Sequence, residues 1–209
     1  MSRIITISRE FGSGGRELGK RLADLLGVDY YDREIITAIA KQTGLGENYV
    51  EQILESREWR KIPLNFRHSF ADIDRIEPTQ TGFLIEQKRV IEKIAKTGKD
   101  CVIVGRNADI LLSDEKPFSM FVFAGMDARI RRCMERAETG ENMSSEEMEQ
   151  NIICIDKSRA KIREALSGSK WGEAGTYHLL INTTDWNIKE LTPAVAEFAS
   201  RWFEKSRMS

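Results

Sequence analysis

Apolar residues in this chain fall into short unbroken runs, and between the runs they recur at spacings of three and four. Ile4, Ile5 and Ile7 form the first run and read as a buried strand. Leu18, Leu22, Leu25 and Leu26 continue it as a helix that Gly27 ends. Val28–Asp32 reads as a short strand or extended link. Ile35, Ile36, Ile39 and Ala40 predict a helix over Asp32–Thr43, N-capped by Asp32 and stopped by Gly44. A further helix is expected over Glu47–Arg60. Periodicity then fails from Lys61 to Gly82, a stretch containing Pro63 and Pro78, which reads as a flap or part of a substrate-side subdomain. Phe83–Lys96 is strongly amphipathic. The four apolar residues Cys101–Val104 before Gly105 have the character of a central parallel strand. Ser119–Ala124 predicts another strand, and Asp127 opens a helix carrying Arg129, Arg131, Arg132 and Arg136. After a polar interruption from Glu138 to Ser145 come a helix over Glu146–Leu166, a last strand over Tyr177–Asn182 and a closing helix over Ile188–Phe203. Strands alternating with helices predict one α/β domain of three layers around a mostly parallel sheet.

The turn between the first strand and the first helix is the candidate site. Gly12, Gly14 and Gly15 put three glycines within four residues, directly before a helix. Such a turn aims backbone N–H groups and the positive end of a helix dipole at one point, which suits an anion; a tight strand-to-helix turn is the alternative. The motif G-x-x-x-x-G-K-[ST] is incomplete here, because no lysine follows the glycines and Glu17 stands at the hydroxyl position. Arg16 is the candidate cation, although a guanidinium is not equivalent to an ammonium. The dinucleotide pattern G-x-G-x-x-G fits less well, since its third glycine falls on Glu17.

Other candidates follow from position. Arg106 lies beyond the carboxyl end of a buried strand, where parallel sheets bind ligands; an ion pair is the alternative. Asp32, Arg33 and Glu34 either line a site or form a charged first turn. Asp156, Arg159 and Arg163 share one helix face, which either grips phosphates or forms an internal pair.

Composition narrows the partners. With 32 basic and 33 acidic residues the net charge is −1, so no global field recruits nucleic acid or an anionic membrane. Cys101, Cys133 and Cys154 have no C-x-x-C spacing and only two histidines are present, so neither a zinc site nor a disulfide framework is expected. The first residues show no apolar signal core, and no apolar run approaches the roughly 20 residues that span a bilayer. A cytoplasmic protein is expected.

The chain resembles the cytidylate kinase-like family of the P-loop nucleoside monophosphate kinases. The residues that carry the resemblance are Ile7–Leu18, Tyr30-Tyr31-Asp32, Val102–Asp109, Trp171-Gly172 and Leu180–Thr184. It implies a P-loop kinase fold with a helical acceptor-binding insertion over 32–97 and a lid over 132–170. It also implies ATP and Mg²⁺ as cofactors, and transfer of the γ-phosphoryl group to a nucleoside monophosphate or similar acceptor. A nucleotide-binding regulator of the same fold without transfer is the alternative. On this resemblance Gly12, Ser13, Gly14, Gly15, Arg16 and Glu17 wrap the ATP phosphates, while Asn182 and Thr183 lie near the adenine. Asp32, Arg33, Arg106, Asp156 and Arg159 serve the acceptor. Arg16, Arg106, Arg159 and Arg163, with Arg132, neutralise transferring charge. The chain departs from the family pattern at several points: the loop lysine falls on Gly15 or Arg16, Asn107 replaces an aspartate, Arg33 and Ala38 replace a serine and an arginine, and Ile152 replaces an arginine. No aspartate ends the Cys101–Val104 strand, so the Mg²⁺ ligands stay open among Ser13, Glu17, Asn107 and Asp109.

Overall fold

The computed structural model describes residues 2–44, 46–47, 80–136 and 143–208; nearly all of the helix expected over 47–60 and of the aperiodic segment 61–82 lies outside them. Five strands form one sheet: β1 (Ile4–Arg9), β2 (Asp29–Tyr31), β3 (Cys101–Val104), β4 (Phe118–Phe123) and β5 (Leu179–Asn182). Their order is β2-β3-β1-β4-β5, and every pairing is parallel. The helices are α1 (Gly15–Leu26), α2 (Arg33–Thr43), α3 (Gln80–Lys96), the single turn α4 (Ala108–Leu111), α5 (Met126–Arg136), α6 (Ser145–Ser167) and α7 (Ile188–Met208).

Strand alternation sorts the core into two layers. Ile4, Cys101 and Ile103 face α2 and α3, meeting Ile35, Ile39, Phe83 and Ile91. Ile5, Ile7, Val102, Val104, Met120 and Val122 face α1 and α7, meeting Leu18, Leu22, Val195 and Ala199. Each such side chain taken fully out of water contributes about 1.5–3 kcal/mol before conformational entropy is subtracted. A central strand buried on both faces cannot carry the chemistry along its length, so the chemistry falls to its end. Ile7 pairs in register with Val104 on one side and Met120 on the other, which brings the carboxyl ends of β1, β3 and β4 level with one another.

Several boundaries differ from the expectation. Asp32 precedes α2 but its side chain makes no capping bond; the carboxylate turns to Arg9 and Arg16 instead. A capping box starts α6: the Glu147 N–H donates to Ser144 Oγ while the Glu147 carboxylate accepts from the Ser144 N–H. α7 runs past Phe203 to Met208, because Trp202 and Phe203 pack on Phe118 of β4. No helix among the described residues is long and apolar enough to cross a membrane.

Candidate functional site

Beyond the ends of β1 and β3 the chain makes two unusual turns, and the candidate site lies between them. The first runs from Glu10 to Gly14. Gly12 and Gly14 have φ of 77° and 84°, in the left-handed region. Neither has room for a side chain: a Cβ would lie 2.9 Å from the Arg129 carbonyl oxygen at Gly12 and 2.7 Å from Ile188 Cδ1 at Gly14. Gly14 stands at the N-cap of α1 and no side chain caps that helix. Helix geometry leaves the first N–H groups of α1 without intrahelical carbonyls.

The turn is held from beneath. The Phe11 N–H donates to Asp156 Oδ1 at 2.9 Å, Arg129 Nε donates to the Phe11 carbonyl at 2.7 Å, and Arg129 pairs with both Asp156 and Glu10. Glu10 also accepts the Ala124 N–H at 3.1 Å. On the other side Thr183, fully buried, donates from Oγ1 to the Ser13 carbonyl at 2.6 Å, and Arg132 donates to Thr183 and Trp186 carbonyls. Burial raises the pKa of Glu10 and of Asp156; the bound N–H groups and Arg129 oppose it in both.

The second turn follows β3. Gly105, Arg106 and Asn107 have φ of 76°, 57° and 53°, so two consecutive non-glycine residues are left-handed. Such residues cost on the order of 1 kcal/mol each and persist where surrounding contacts impose them. Here buried Gln87 donates from Nε2 to the Arg106 carbonyl at 2.9 Å, and the Asn107 carbonyl accepts the N–H groups of Ile110 and Leu111, both at 3.0 Å. The strained turn sets Arg106 over the cleft.

The cleft between the turns is lined by Arg9, Arg106, Asn107 and Arg159, with Gln87, Leu84 and Trp171 at its side. Arg9 pairs with Asp32 at 3.5 Å, and the more exposed Arg16 pairs with the second oxygen of the same carboxylate. Arg159 donates to the Arg9 carbonyl at 3.2 Å and lies 3.8 Å from Asp156. Burial and the repulsion of Arg159 lower the Arg9 guanidinium to about 9, with Asp32 opposing and Arg106 and Arg16 adding to the drop. Arg9 still carries its charge at neutral pH. Guanidinium groups converging on one cleft suit a polyanionic ligand.

The sequence model described as the cytidylate kinase-like family matches residues 4–185, which span both turns and the sheet that carries them. The chain belongs to that family. It is 26% identical over 206 residues to a cytidylate kinase from Thermosipho melanesiensis, covering 90% of this chain and 92% of the relative. A crystal structure from Eubacterium ventriosum ATCC 27560 superposes with a TM-score of 0.69 at 25% identity, covering 95% of this chain and 99% of the other. Shikimate kinase from Bacteroides thetaiotaomicron superposes at 0.57 and 16% identity over 95% and 98% of the two chains, a likeness of fold. The three-layer α/β architecture of P-loop kinases is therefore the fold of this family member.

The fold brings together some of the residues named from sequence and separates others. Gly12, Ser13, Gly14 and Gly15 form the turn, and Arg106 and Arg159 line the cleft beside it. Asp156 lies beneath the turn, where Phe11 and Arg129 take its oxygens, so it braces the turn instead of facing an acceptor. Arg163 is directed away from the cleft: it donates to Asp109 at 2.6 Å and lies over the Tyr177 ring, almost fully buried. Glu17 is held by Arg21 at 2.8 Å and by Arg136. Thr183 is enclosed as a brace, while exposed Asn182 accepts from Thr184. Arg33 is exposed on the first turn of α2, and Ile152 is buried in the core. Sequence reasoning missed Arg9, whose signal was two glycines, Gly15 and Gly105, that its side chain crowds.

A phosphate chain fits this arrangement, with backbone N–H groups at the turn and guanidinium groups opposite. A protein-held Mg²⁺ fits less well. Among the described residues no three His, Cys, Asp or Glu side chains cluster for a metal, and Glu17, Asp32 and Asp109 are each paired with arginine. Ser13 Oγ donates to the Glu10 carbonyl at 2.9 Å.

Proposed function

We propose that this chain is an ATP-dependent phosphotransferase acting on a nucleoside monophosphate or a similar small acceptor. The observation that carries the reading is the cleft across the ends of β1 and β3, where Arg9, Arg106 and Arg159 converge beside an uncapped helix N-terminus. ATP, when bound, supplies the γ-phosphoryl group. Phosphoryl transfer asks a protein to position reactants and spread positive charge around the moving group, and that is what these residues offer.

In this reading the Gly12–Glu17 turn holds the donor phosphates through backbone N–H groups. Arg16 reaches in from the rim. Arg106, held by its left-handed backbone, takes the acceptor phosphate, and Arg159 neutralises charge between the two. The segments 32–97 and 132–170 are assigned to the acceptor side and the lid. Leu84, Gln87 and Trp171 form the wall against which the acceptor's neutral part packs. The changes at Arg33, Ala38 and Ile152 argue for an acceptor contacted differently from the nucleotide of cytidylate kinases.

A second reading, a nucleotide-binding regulator without transfer, is favoured by one observation: among the described residues Glu17, Asp32, Asp109 and Asp156 are each already paired with arginine. A coupled assay of ADP formation separates the two. ATP and GTP are offered as donors to CMP, dCMP, UMP, AMP and unphosphorylated small molecules. Acceptor-dependent turnover that Arg106→Ala removes supports the kinase. Tight ATP binding by calorimetry with no turnover on any acceptor supports the regulator.

A further inference from the structure

The missing lysine leaves a question in the fold: why glycine follows Gly14 inside the first turn of α1. Glycine in a helix costs about 1 kcal/mol relative to alanine. Gly15 has no left-handed φ to justify it. Its reason is steric. A Cβ there would lie 2.6 Å from Arg9 Cβ and 3.0 Å from Arg9 Cγ, so the Arg9 side chain lies directly across Gly15. The same side chain runs on to β3, where a Cβ on Gly105 would overlap Arg9 Nη1 and sit 2.8 Å from Cζ. Two glycines, one at the start of α1 and one at the end of β3, thus clear a channel for one arginine. Through that channel the guanidinium reaches Asp32, while Arg159 holds the Arg9 main-chain carbonyl, and both arginines line the cleft.

We infer that Arg9 carries the phosphate-binding charge that a lysine at position 15 supplies in the G-x-x-x-x-G-K-[ST] motif: the cation enters from the end of β1 and crosses a glycine left at the lysine's place. The inference rests on the phosphotransferase reading of the site. Arg9 forms and breaks no bond; it binds the phosphoryl group as that group passes from donor to acceptor. Three features support this role over a purely structural one. Arg9 is among the residues that line the cleft, and its side chain is largely buried. Among the described residues the charged groups that act on it are three arginines, Arg159, Arg106 and Arg16, and one carboxylate, Asp32. A planar fork at this point also suits two phosphate oxygens at once, which a lysine does not match.

The test is calorimetry of the 209-residue chain with a non-hydrolysable ATP analogue and with AMP, alongside melting curves. Arg9→Met keeps the stem packed and removes the charge. It is expected to weaken the ATP analogue roughly 10- to 100-fold while changing AMP affinity less than about threefold, the scale of one charged hydrogen-bonding group. Gly15→Lys alone places its Cβ against Arg9 and is expected to lower both melting temperature and affinity. The double variant Arg9→Gly/Gly15→Lys moves the cation back onto the helix, and is expected to regain triphosphate affinity to within about tenfold of the unaltered chain. If Arg9→Met folds poorly, the double variant decides. Equal affinity of Arg9→Met and the unaltered chain for the analogue, or no recovery in a folded double variant, overturns the inference and leaves the kinase reading standing. An unaltered chain that binds no triphosphate ends both.

Discussion

The arginines of this molecule form two populations. Arg129 and Arg163 each have carboxylates of their own, Glu10 with Asp156 for the first and Asp109 for the second, and both are almost fully buried. Arg9, Arg106 and Arg159 line the cleft, and Arg9 shares the carboxylate of Asp32 with the more exposed Arg16. The difference teaches how to read a basic residue near a glycine turn. An arginine matched by its own carboxylates builds the platform. Arginines gathered along a cleft wall offer their charge to an anion. The turn at Glu10–Gly14 depends on both: Arg129 fixes its underside, and the cleft group sets the field above it.

Removing members of each population should therefore separate stability from binding. The largest effect is expected for Arg129→Ala, which leaves Glu10 and Asp156 buried without their partner and should cost about 3–5 kcal/mol in urea unfolding. A loss below about 1 kcal/mol would place Arg129 among the dispensable pairs. Arg106→Ala should act the other way round: kcat/KM falls about 10- to 100-fold while unfolding midpoints barely move. A stability loss as large as that of Arg129→Ala would erase the distinction between the two groups. Asp32→Asn removes the carboxylate shared by Arg9 and Arg16. It should lower stability by about 1 kcal/mol and enlarge the thermal shift produced by ATP, since the cations then rely more on the ligand. An unchanged ATP shift would mean that Asp32 does not balance the cleft.

The smallest effect belongs to a group outside the site. His178 Nδ1 accepts the Ser119 N–H at 3.0 Å, and burial lowers the pKa of the ring. The folded state thus favours the neutral ring. Its contribution is present above the ordinary value of 6.5 and is lost as the pH falls below it. The residue is only partly covered, so solvent screening keeps the expected loss on acidification to a few tenths of a kcal/mol. It should vanish in His178→Phe, measured as the difference between urea midpoints at neutral and mildly acidic pH.

Sequence periodicity revealed the layers because burial on both faces leaves continuous apolar runs at β1, β3 and β4, and these strands appear where the runs stand. Gly12, Gly14 and Arg106 were legible for a related reason, since each follows directly from a strand end. Asp156 and Arg163 were not. Helical spacing puts them on one face, but they stand two turns, about 10 Å, apart along α6, so one meets Phe11 and Arg129 while the other meets Asp109. Spacing says which residues are neighbours on a helix; it does not say what stands across from them. Arg9 was hidden for the same reason. It ends β1 in the sequence of the glycine turn, yet its role depends on Gly105, which is brought beside it only when β1 pairs with β3.

The central claim is that the cleft at the ends of β1 and β3 holds the transferring phosphates. A crystal structure of the chain with a non-hydrolysable ATP analogue tests it most directly. The account predicts the triphosphate wrapped by Gly12–Glu17, with its terminal phosphate within hydrogen-bonding distance of Arg9 or Arg106. A triphosphate bound elsewhere, for instance in the groove beside Lys116, His178 and Trp202, with the cleft arginines unmoved and untouched, would contradict it.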